Sequence, residues 1–309
     1  MSTTSRHVIL GAGPVGRAVA ARLARDGERA VVVTRSGTPV PDADTRTADV
    51  ADPVAAKEAL ADAAVVYQCA QPAYHRWPQE FPALQAAVAD AAAASGAVLV
   101  VVDNLYGYGP VAGPMTEDLP LAATTRKGAT RAAMWHDLAA AHEAGRVRAV
   151  AARAADFFGP HVDGSTVGSR FFASLLAGTP VDVMGDPDAR HTVTYVPDLA
   201  EAMVRLGATE DAWGRPWHVP NAPTVTQRQL VALAAEVAGV TPRVRRMAPW
   251  QLRALGVAIR PLREMVEMSY EFTEDFVVDH GAYAARFGDH ATPLADALAT
   301  TVAWYRGDR

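Results

Sequence analysis

The chain has 309 residues, of which 50% are hydrophobic and 20% charged. This composition is that of an ordinary globular protein and argues against a disordered or membrane-embedded chain, and α/β folds of this length are often one core with a smaller lobe attached. The net charge of −5 argues against nucleic acid as a partner. The single cysteine, Cys69, cannot form an internal disulfide. Because no segment has the pattern of a signal peptide or a membrane span, we expect a cytoplasmic protein that does not bind membranes.

Short β-branched segments alternate with alanine-rich segments along the first half of the chain. This alternation predicts βαβ units around a parallel sheet, and therefore an α/β fold. Uninterrupted apolar runs such as VLVVV indicate strands that helices cover on both faces. The predicted strands are His7–Leu10, Ala30–Thr34, Ala64–Gln68, Val98–Val102 and Val147–Ala151, and the predicted helices are Val15–Arg25, Pro53–Ala61, Phe81–Ala94 and Thr130–Ala144.

The first predicted strand runs directly into a glycine-rich loop and then into a helix. In VILGAGPVGRAVA, Gly11 permits a tight turn, Gly13 lets the backbone approach a pyrophosphate, and Gly16 lets the helix pack closely on the strand. Val15 lies at the start of that helix, whose N-terminus would face the anion. This setting of strand, loop and helix predicts a dinucleotide site.

The end of the second strand indicates which dinucleotide binds. An NAD site usually has an acidic residue there, which accepts hydrogen bonds from the ribose. This chain has Thr34, Arg35 and Ser36 instead, and a guanidinium with two hydroxyls suits a 2′-phosphate. We therefore expect NADP(H) in preference to NAD(H). Asp49 and Val50 follow a third short strand, where a carboxylate could accept from the adenine amino group.

Several further motifs make the chain resemble a known family. Together their order and spacing are similar to those of the short-chain dehydrogenase/reductase superfamily, in its extended or atypical, NAD-dependent epimerase/dehydratase-like branch. The resemblance implies a Rossmann-like doubly wound parallel sheet at 1–160 and about 190–220. It also implies a smaller, mostly C-terminal substrate lobe at about 161–189 and 221–309. The motifs are the loop at 11–16, Asp49 with Val50, NLYGYGP at 104–110, Lys127, RAADFFGP at 153–160, HTVTYVPDLAEAMV at 191–204, WHVPN at 217–221 and TPLADALATTVAWY at 292–305.

The resemblance also implies a Tyr-x-x-x-Lys motif, which is only half present. In that family the tyrosine transfers a proton and the lysine binds the nicotinamide ribose. Here the lysine is Lys127, but the tyrosine position is Ala123. Only two of the 29 basic residues are lysines, Lys57 and Lys127, so arginine is the usual cation of this chain. A lysine at position 127 therefore suggests a role that a compact ammonium fulfils and a guanidinium cannot. The family's Ser or Thr position falls on Asn104, whose amide can polarise a substrate oxygen without transferring a proton.

Another group would then have to supply the proton. Tyr106 and Tyr108 follow the predicted strand Val98–Val102, and Tyr74 and His75 follow the predicted strand Ala64–Gln68. All four therefore lie at the carboxyl edge of the sheet, where ligands of such folds bind. Any of them could act as the general acid within hydrogen-bond reach of the substrate, and a packing role is the alternative for each. A substrate whose anion is well stabilised would need only Asn104 and water.

RAADFFGP differs from the family at one position that bears on the substrate. Where sugar-nucleotide enzymes usually have an asparagine that meets the substrate diphosphate, this chain has Asp156. A carboxylate there would repel a diphosphate by roughly 1 kcal/mol or more. The resemblance implies that Phe157, Phe158 and Gly159 line the pocket around the nicotinamide. We also expect Ala70, which follows the predicted strand Ala64–Gln68, to contact the cofactor.

The C-terminal part indicates the kind of substrate. Its apolar residues recur at helical spacing and include Met265, Met268, Tyr270 and Phe272, which are more often core than pocket. Flexible methionines also adapt to varied apolar ligands. The scattered histidines and the lone cysteine predict no metal site.

These observations give one main hypothesis and two alternatives. The first is an NADPH-dependent reductase of a carbonyl or activated alkene in a small, largely apolar molecule, with an atypical proton donor. The second is a non-catalytic NADP(H)-binding regulator. The third is an epimerase or dehydratase that uses the cofactor transiently. Besides its small-molecule substrate, a second copy of the chain is an expected partner, because family members often dimerise through helices like those at 81–94 and 130–144.

Overall fold

The structure is a computed structural model that describes residues 6–248, 250–251, 254, 264 and 266–307. Contacts divide the chain into two compact units. The first contains the described residues up to Gly107, Lys127–Arg153 and Leu199–Trp217. The second contains Tyr108–Arg126, Ala154–Asp198 and the described residues from His218 onward. Of the ranges that the sequence assigned to the dinucleotide domain, 108–126, 154–160, 190–198 and 218–220 fall in the second unit.

The described strands and helices alternate through the first half of the chain. The strands are β1 His7–Leu10, β2 Val31–Thr34, β3 Asp44–Thr47, β4 Val65–Gln68, β5 Val98–Asn104, β6 Arg148–Ala154, β7 Asp156–Phe158, β8 Val181–Met184, β9 Arg190–His191, β10 Val193–Tyr195, β11 Pro216–His218, β12 Val225–Thr226 and β13 Val244–Met247. The α-helices are α1 Pro14–Arg25, α2 Pro53–Leu60, α3 Trp77–Ser95, α4 Arg126–Glu143, α5 Ser169–Leu176, α6 Val196–Ala208, α7 Gln227–Ala238, α8 Gly281–Phe287 and α9 Leu294–Arg306.

A seven-stranded sheet forms the centre of the first unit. Its strand order is β11-β6-β5-β4-β1-β2-β3, and the crossovers from β1 to β2 and from β4 to β5 join parallel neighbours. Val98–Val101 of β5 is buried throughout, because helices cover the sheet. The order reverses beside β1, so the loops after β1 and β4 meet at the carboxyl edge, where such sheets bind ligands. The predicted Rossmann-like α/β fold is confirmed.

The second unit has a core of its own, built from short strands and three helices. Strand β7 pairs in parallel with β10, β8 pairs in parallel with β13, and β9 pairs antiparallel with β12. Helix α7 begins with a capping box, in which Thr226 and Gln229 satisfy each other's backbone N–H groups. The core includes Phe158, Phe171, Phe172, Val193, Tyr195, Leu230, Val231 and Leu298.

The structure describes part of the methionine-containing C-terminal segment. Met268 and Phe272 are 2% and 5% exposed, so both are packing residues in the second unit, whereas Met265 lies outside the described residues. Within the described part of the chain, no helix has the length and apolar character that crossing a membrane requires. No group of three or more potential metal ligands occurs among the same residues.

Candidate functional site

The glycine loop after β1 has the shape that a dinucleotide requires. A Cβ on Gly16 would lie 2.0 Å from the Gly11 carbonyl oxygen, so the helix packs directly on the loop. Gly11 itself has a φ of 102°, which favours glycine. A Cβ on Gly13 would meet nothing within 4 Å, and Gly13 gives the first turn of α1 no side-chain cap. Open space beside an uncapped helix N-terminus fits a pyrophosphate.

Arg17 adds a cation to this loop that sequence reasoning missed. Its Nε donates to the Ala12 carbonyl at 3.0 Å, and its guanidinium also donates to the Pro39 carbonyl at 3.4 Å. It therefore connects the glycine loop with the segment that follows β2. A cation in the first turn opposes the helix dipole, and this departure from the usual charge preference was the available sequence signal.

The residues at the end of β2 lie where the sequence predicted. Arg35 and Ser36 are exposed, and Thr34 is half-buried. Thr34 Oγ1 accepts a hydrogen bond from the Thr38 amide at 3.1 Å, and Ser36 Oγ lies 2.6 Å from Thr38 Oγ1. The exposed guanidinium and these ordered hydroxyls form a polar surface that can receive a phosphate.

Three other predicted cofactor residues also lie in the first unit. Asp49 follows β3, is exposed, and accepts from the Ala51 amide at 3.1 Å, whereas Val50 is buried. Ala70 lies against the glycine loop, because a Cβ on Gly11 would be 3.1 Å from the Ala70 nitrogen. The structure therefore places Ala70 beside the glycine loop.

Lys127, Tyr74 and Tyr106 come together in the first unit. Lys127 lies in the first turn of α4 and is fully buried. Its Nζ lies 4.4 Å from the centroid of the Tyr74 ring, and the Tyr74 hydroxyl donates to the Tyr106 hydroxyl at 3.5 Å. Trp77 packs edge-on against Tyr74, with ring centroids 5.0 Å apart. The retained lysine thus faces an aromatic cluster that includes two of the four predicted proton donors.

A buried ionic network fixes α4 against β5. Asp103 accepts from Arg131 at 2.6 Å and from Arg153 at 2.9 Å, and each of these residues is at most 5% exposed. Burial alone would raise the Asp103 pKa, but the two guanidinium groups outweigh it, so the pKa lies below its ordinary value. Because Arg131 is one turn after Lys127 on α4, this network holds Lys127 in position.

Asn104 is oriented by the same strand end. Its side-chain Oδ1 accepts from the backbone N–H of Tyr106 at 3.2 Å, and the backbone N–H of Asn104 donates to Asp103 Oδ1 at 2.8 Å. The side-chain oxygen is therefore used in the turn, and the amide NH₂ is the end that could donate to a substrate oxygen.

The other two predicted donors have different surroundings. Tyr108 belongs to the second unit and is 2% exposed. Its hydroxyl lies 2.8 Å from His218 Nε2, and because His218 Nδ1 faces the Asp279 carbonyl at 2.9 Å, Nε2 is the acceptor. This buried pair favours a structural role for Tyr108. His75 is half-buried on the short 3-10 helix Tyr74–Arg76.

Two segments of the second unit contain further predicted positions. Ala123 lies before α4 and packs against Gly109, where an added Cβ would come within 3.0 Å of the Ala123 Cα. Phe158 is 1% exposed and packs on Tyr195 with ring centroids 5.3 Å apart. Of the predicted nicotinamide wall, Phe157 is half-buried and Gly159 is buried, so Phe157 has the most accessible side chain of the three.

Asp156 belongs to a cluster that the sequence did not predict. Its Oδ2 accepts from Thr166 at 2.9 Å and lies 3.2 Å from His191 Nε2. His191 Nδ1 faces the Glu271 carbonyl at 3.1 Å, so both ring nitrogens of His191 face oxygen atoms.

The side chain of Glu271 is also part of this cluster. Glu271 is 3% exposed, and its Oε1 has no hydrogen-bond partner among the described residues. Burial, and secondarily the charge of Asp156, raises the Glu271 pKa well above its usual value. None of Asp156, Thr166 and Glu271 carries a positive charge, so these three side chains offer a diphosphate no cation.

A cavity of about 410 Å³ lies elsewhere in the first unit, between β3 and α2. None of the residues predicted for the cofactor or for catalysis lines it. The glycine loop and Lys127 therefore lie outside the lining of this cavity. Its lining residues are Arg46, Thr47, Ala48, Ala55, Glu58, Ala59, Ala61 and Asp62.

The fold and the glycine loop define a protein of the dinucleotide-binding class. Residues 7–219 match the NAD dependent epimerase/dehydratase family, and the chain belongs to that family. The predicted resemblance is thereby confirmed, and membership supports an enzyme that works with an NAD(P) cofactor. No match was found among proteins of curated function.

Solved structures of similar fold cover nearly the whole chain. UDP-glucose 4-epimerase from Thermotoga maritima, solved with UDP-glucose, has a TM-score of 0.80 at 17% identity and covers 98% of this chain and 99% of its own. MoeE5 with UDP-glucuronic acid and NAD has a TM-score of 0.79 at 22% identity, covering 99% and 100%. UDP-glucuronic acid 4-epimerase from Bacillus cereus with NAD has a TM-score of 0.78 at 14% identity, covering 98% and 99%. At these identities the similarity establishes the fold.

Proposed function

We propose that this protein is an epimerase or dehydratase that uses a nicotinamide cofactor transiently, oxidising a substrate carbinol and later returning the hydride. The observation that carries the proposal is the buried Lys127 beside Tyr74 and Tyr106, in the unit that contains the glycine loop. The family match favours this function over the carbonyl or alkene reductase that the sequence suggested first.

The residues of this chain have distinct parts in the proposed reaction. The glycine loop and Arg17 hold the pyrophosphate, and Lys127 donates a hydrogen bond to the nicotinamide ribose. The Asn104 NH₂ group orients the reacting oxygen by donating to it. When bound, the nicotinamide supplies a reversible hydride acceptor, and the protein's own residues must move the proton.

The preferred cofactor in this proposal is NADP(H). Thr34, Arg35 and Ser36 supply a cation and hydroxyls to a 2′-phosphate, and none of them supplies the carboxylate that commonly selects NAD. The structures of MoeE5 and of the Bacillus cereus enzyme contain NAD, so this chain would differ from them in preference. The same three residues favour a second candidate function, an NADPH-dependent reductase, in which the cofactor leaves after each turnover.

The proposed substrate is a small, largely apolar molecule without a nucleotide diphosphate. Similar structures contain UDP sugars, but Asp156 would place a carboxylate near such a diphosphate if the family's binding mode were kept. His191 and Thr166 hold that carboxylate in place. UDP-glucose is therefore expected to bind poorly.

Cofactor titrations test the proposal. NADPH is expected to bind at least about tenfold more tightly than NADH, which corresponds to about 1.4 kcal/mol. Arg35→Asp should reverse the preference, and Arg146→Asp, at an exposed arginine in the turn after α4, is the matched control. Equal affinities of the wild type for both cofactors would refute the assignment to Thr34, Arg35 and Ser36.

Turnover separates the candidate functions. A panel of secondary alcohols, ketones and enones is incubated with the protein and NADP(H), and products and cofactor are both quantified. Product without net NADPH consumption supports an epimerase or dehydratase, and stoichiometric consumption supports the reductase. Tight NADPH binding with no panel member converted would favour the non-catalytic regulator.

A further inference from the structure

The side chain that transfers the proton can be inferred from the surroundings of Lys127. This inference rests on the proposed function, because a proton donor is needed only if a substrate oxygen is oxidised or reduced. Ala123 has no ionisable group, so the proton must pass to another side chain or to water. Three of the four predicted donors have side chains in the first unit together with Lys127: Tyr74, His75 and Tyr106.

Tyr74 has the most direct relation to the lysine. The ammonium lies over its ring, 4.4 Å from the centroid, and Lys127 itself is excluded from solvent. A cation over an aromatic face is attracted to it, and the attraction grows when the ring bears the delocalised charge of a phenolate. Tyr74 is half-buried, so one side of the ring is fixed and part of the side chain remains accessible.

Neighbouring groups orient the Tyr74 side chain. Trp77 packs edge-on against the ring, and the Tyr106 hydroxyl lies 3.5 Å from the Tyr74 oxygen. In the neutral state Tyr74 donates to Tyr106, and in the ionised state Tyr106 can donate back to the phenolate. Hydrogen bonds to a charged acceptor are shorter and stronger than neutral ones. Tyr106 is therefore a positioning residue in this arrangement.

We propose that Tyr74 is the acid/base residue that replaces the missing tyrosine at position 123. In the oxidising direction the substrate O–H bond breaks and the Tyr74 phenolate oxygen takes the proton. The carbon-bound hydrogen leaves as hydride to the nicotinamide, so the carbinol becomes a carbonyl and the two electrons are balanced by reduction of NADP⁺. In the reverse direction Tyr74 returns its proton to the oxygen. Lys127 stabilises the phenolate in both directions.

Ultraviolet titration of the full-length protein tests this without a substrate. Phenolate formation is followed by absorbance in the wild type, Tyr74→Phe and Tyr106→Phe. One of the eight tyrosines is expected to ionise at lower pH than the others, and we call this ionisation the early step. That step should be absent from Tyr74→Phe and present in Tyr106→Phe. A wild type without such a step, or a step that survives Tyr74→Phe, would overturn the proposal.

The two lysines supply the electrostatic control. Lys127→Met should move the early step at least about one pH unit higher, a tenfold change in the ionisation equilibrium. Lys57→Met, at the exposed lysine of α2, should leave it in place. If Lys127→Met fails to fold, Lys127→Arg retains a cation and should retain an early step. An identical titration of folded Lys127→Met and wild type would contradict the role of the ammonium.

Cofactor titration separates this inference from the proposed function. Tyr74→Phe should bind NADPH within about twofold of the wild type, because the hydroxyl acts on the substrate and not on the pyrophosphate or ribose. If the early step is assigned to Tyr74 but the protein binds no NADPH, the proposed function is refuted, while the low-pH ionisation of Tyr74 is supported. Normal NADPH binding without the early step would refute only the assignment to Tyr74.

Discussion

The ionic network beneath the site provides a stability prediction that can be worked out from its geometry. Asp103 is 5% exposed and accepts from Arg131 at 2.6 Å and from Arg153 at 2.9 Å. Asp103→Asn preserves the shape of the side chain but removes its charge. It also places the NH₂ group of the new asparagine, a hydrogen-bond donor, against guanidinium groups that can only donate. Two buried cations would then lack their shared counter-ion.

The expected cost follows from the burial of all three groups. Removing one partner of a buried ion pair typically costs about 3–5 kcal/mol, because the remaining charge is neither solvated nor paired. With an m value near 3 kcal/mol per molar urea for a chain of this size, the midpoint should fall by about 1 M or more. Because the folded-state pKa of Asp103 is depressed, this stabilisation is present above the ordinary aspartate pKa. It is lost as the pH falls through the lower folded-state value.

Urea unfolding followed by circular dichroism at neutral pH measures this effect. Asp188→Asn is the matched control, since Asp188 also makes two bonds to one arginine, Arg228, at 2.7 and 2.9 Å, but both side chains are more than half exposed. The control should leave the midpoint unchanged within error. Equal midpoints for Asp103→Asn and Asp188→Asn would refute the reasoning that burial makes the network strong.

Two further predictions concern the glycine loop and the acidic cluster. Gly13→Ala should melt like the wild type, since its Cβ meets nothing within 4 Å, but it should weaken NADPH binding at least about tenfold. Gly16→Ala should lower the melting temperature, because its Cβ would lie 2.0 Å from a backbone oxygen. Wild-type NADPH affinity in Gly13→Ala would contradict the pyrophosphate assignment. The folded chain retains the Glu271 proton above the pH at which the unfolded chain releases it, so this group makes stability fall as the pH rises from the ordinary glutamate pKa toward the raised one. Glu271→Gln should therefore show a smaller decline in urea midpoint between about pH 5 and pH 8 than the wild type, and parallel declines would argue against a raised folded-state pKa.

The central sheet could be predicted because its strands are buried on both faces. Strand β1 was predicted with its bounds unchanged, and the order of strands and helices was correct throughout the first half. The glycine loop was equally readable, since its function depends on local backbone geometry that the sequence encodes directly.

Buried polar groups limited the prediction elsewhere. Strand β5 continues to Asn104 because Asp103 is paired inside the fold, although a charged residue marks the end of an apolar pattern. Helix α4 begins at Arg126, four residues before the predicted start, because Lys127 is buried in its first turn. The Asp156–His191–Glu271 cluster joins residues from distant parts of the chain, and no local pattern indicates such a contact.

The central claim is that the glycine loop and Lys127 together hold a nicotinamide cofactor. Isothermal titration of NADPH into the wild type, Lys127→Met and Lys57→Met tests it most directly, with circular dichroism confirming that each variant is folded. A hydrogen bond from a charged donor contributes about 1.5–3 kcal/mol, so Lys127→Met should weaken NADPH binding at least about tenfold. Lys57→Met should bind like the wild type. The same affinity in all three proteins, or no binding by the wild type, would contradict the claim.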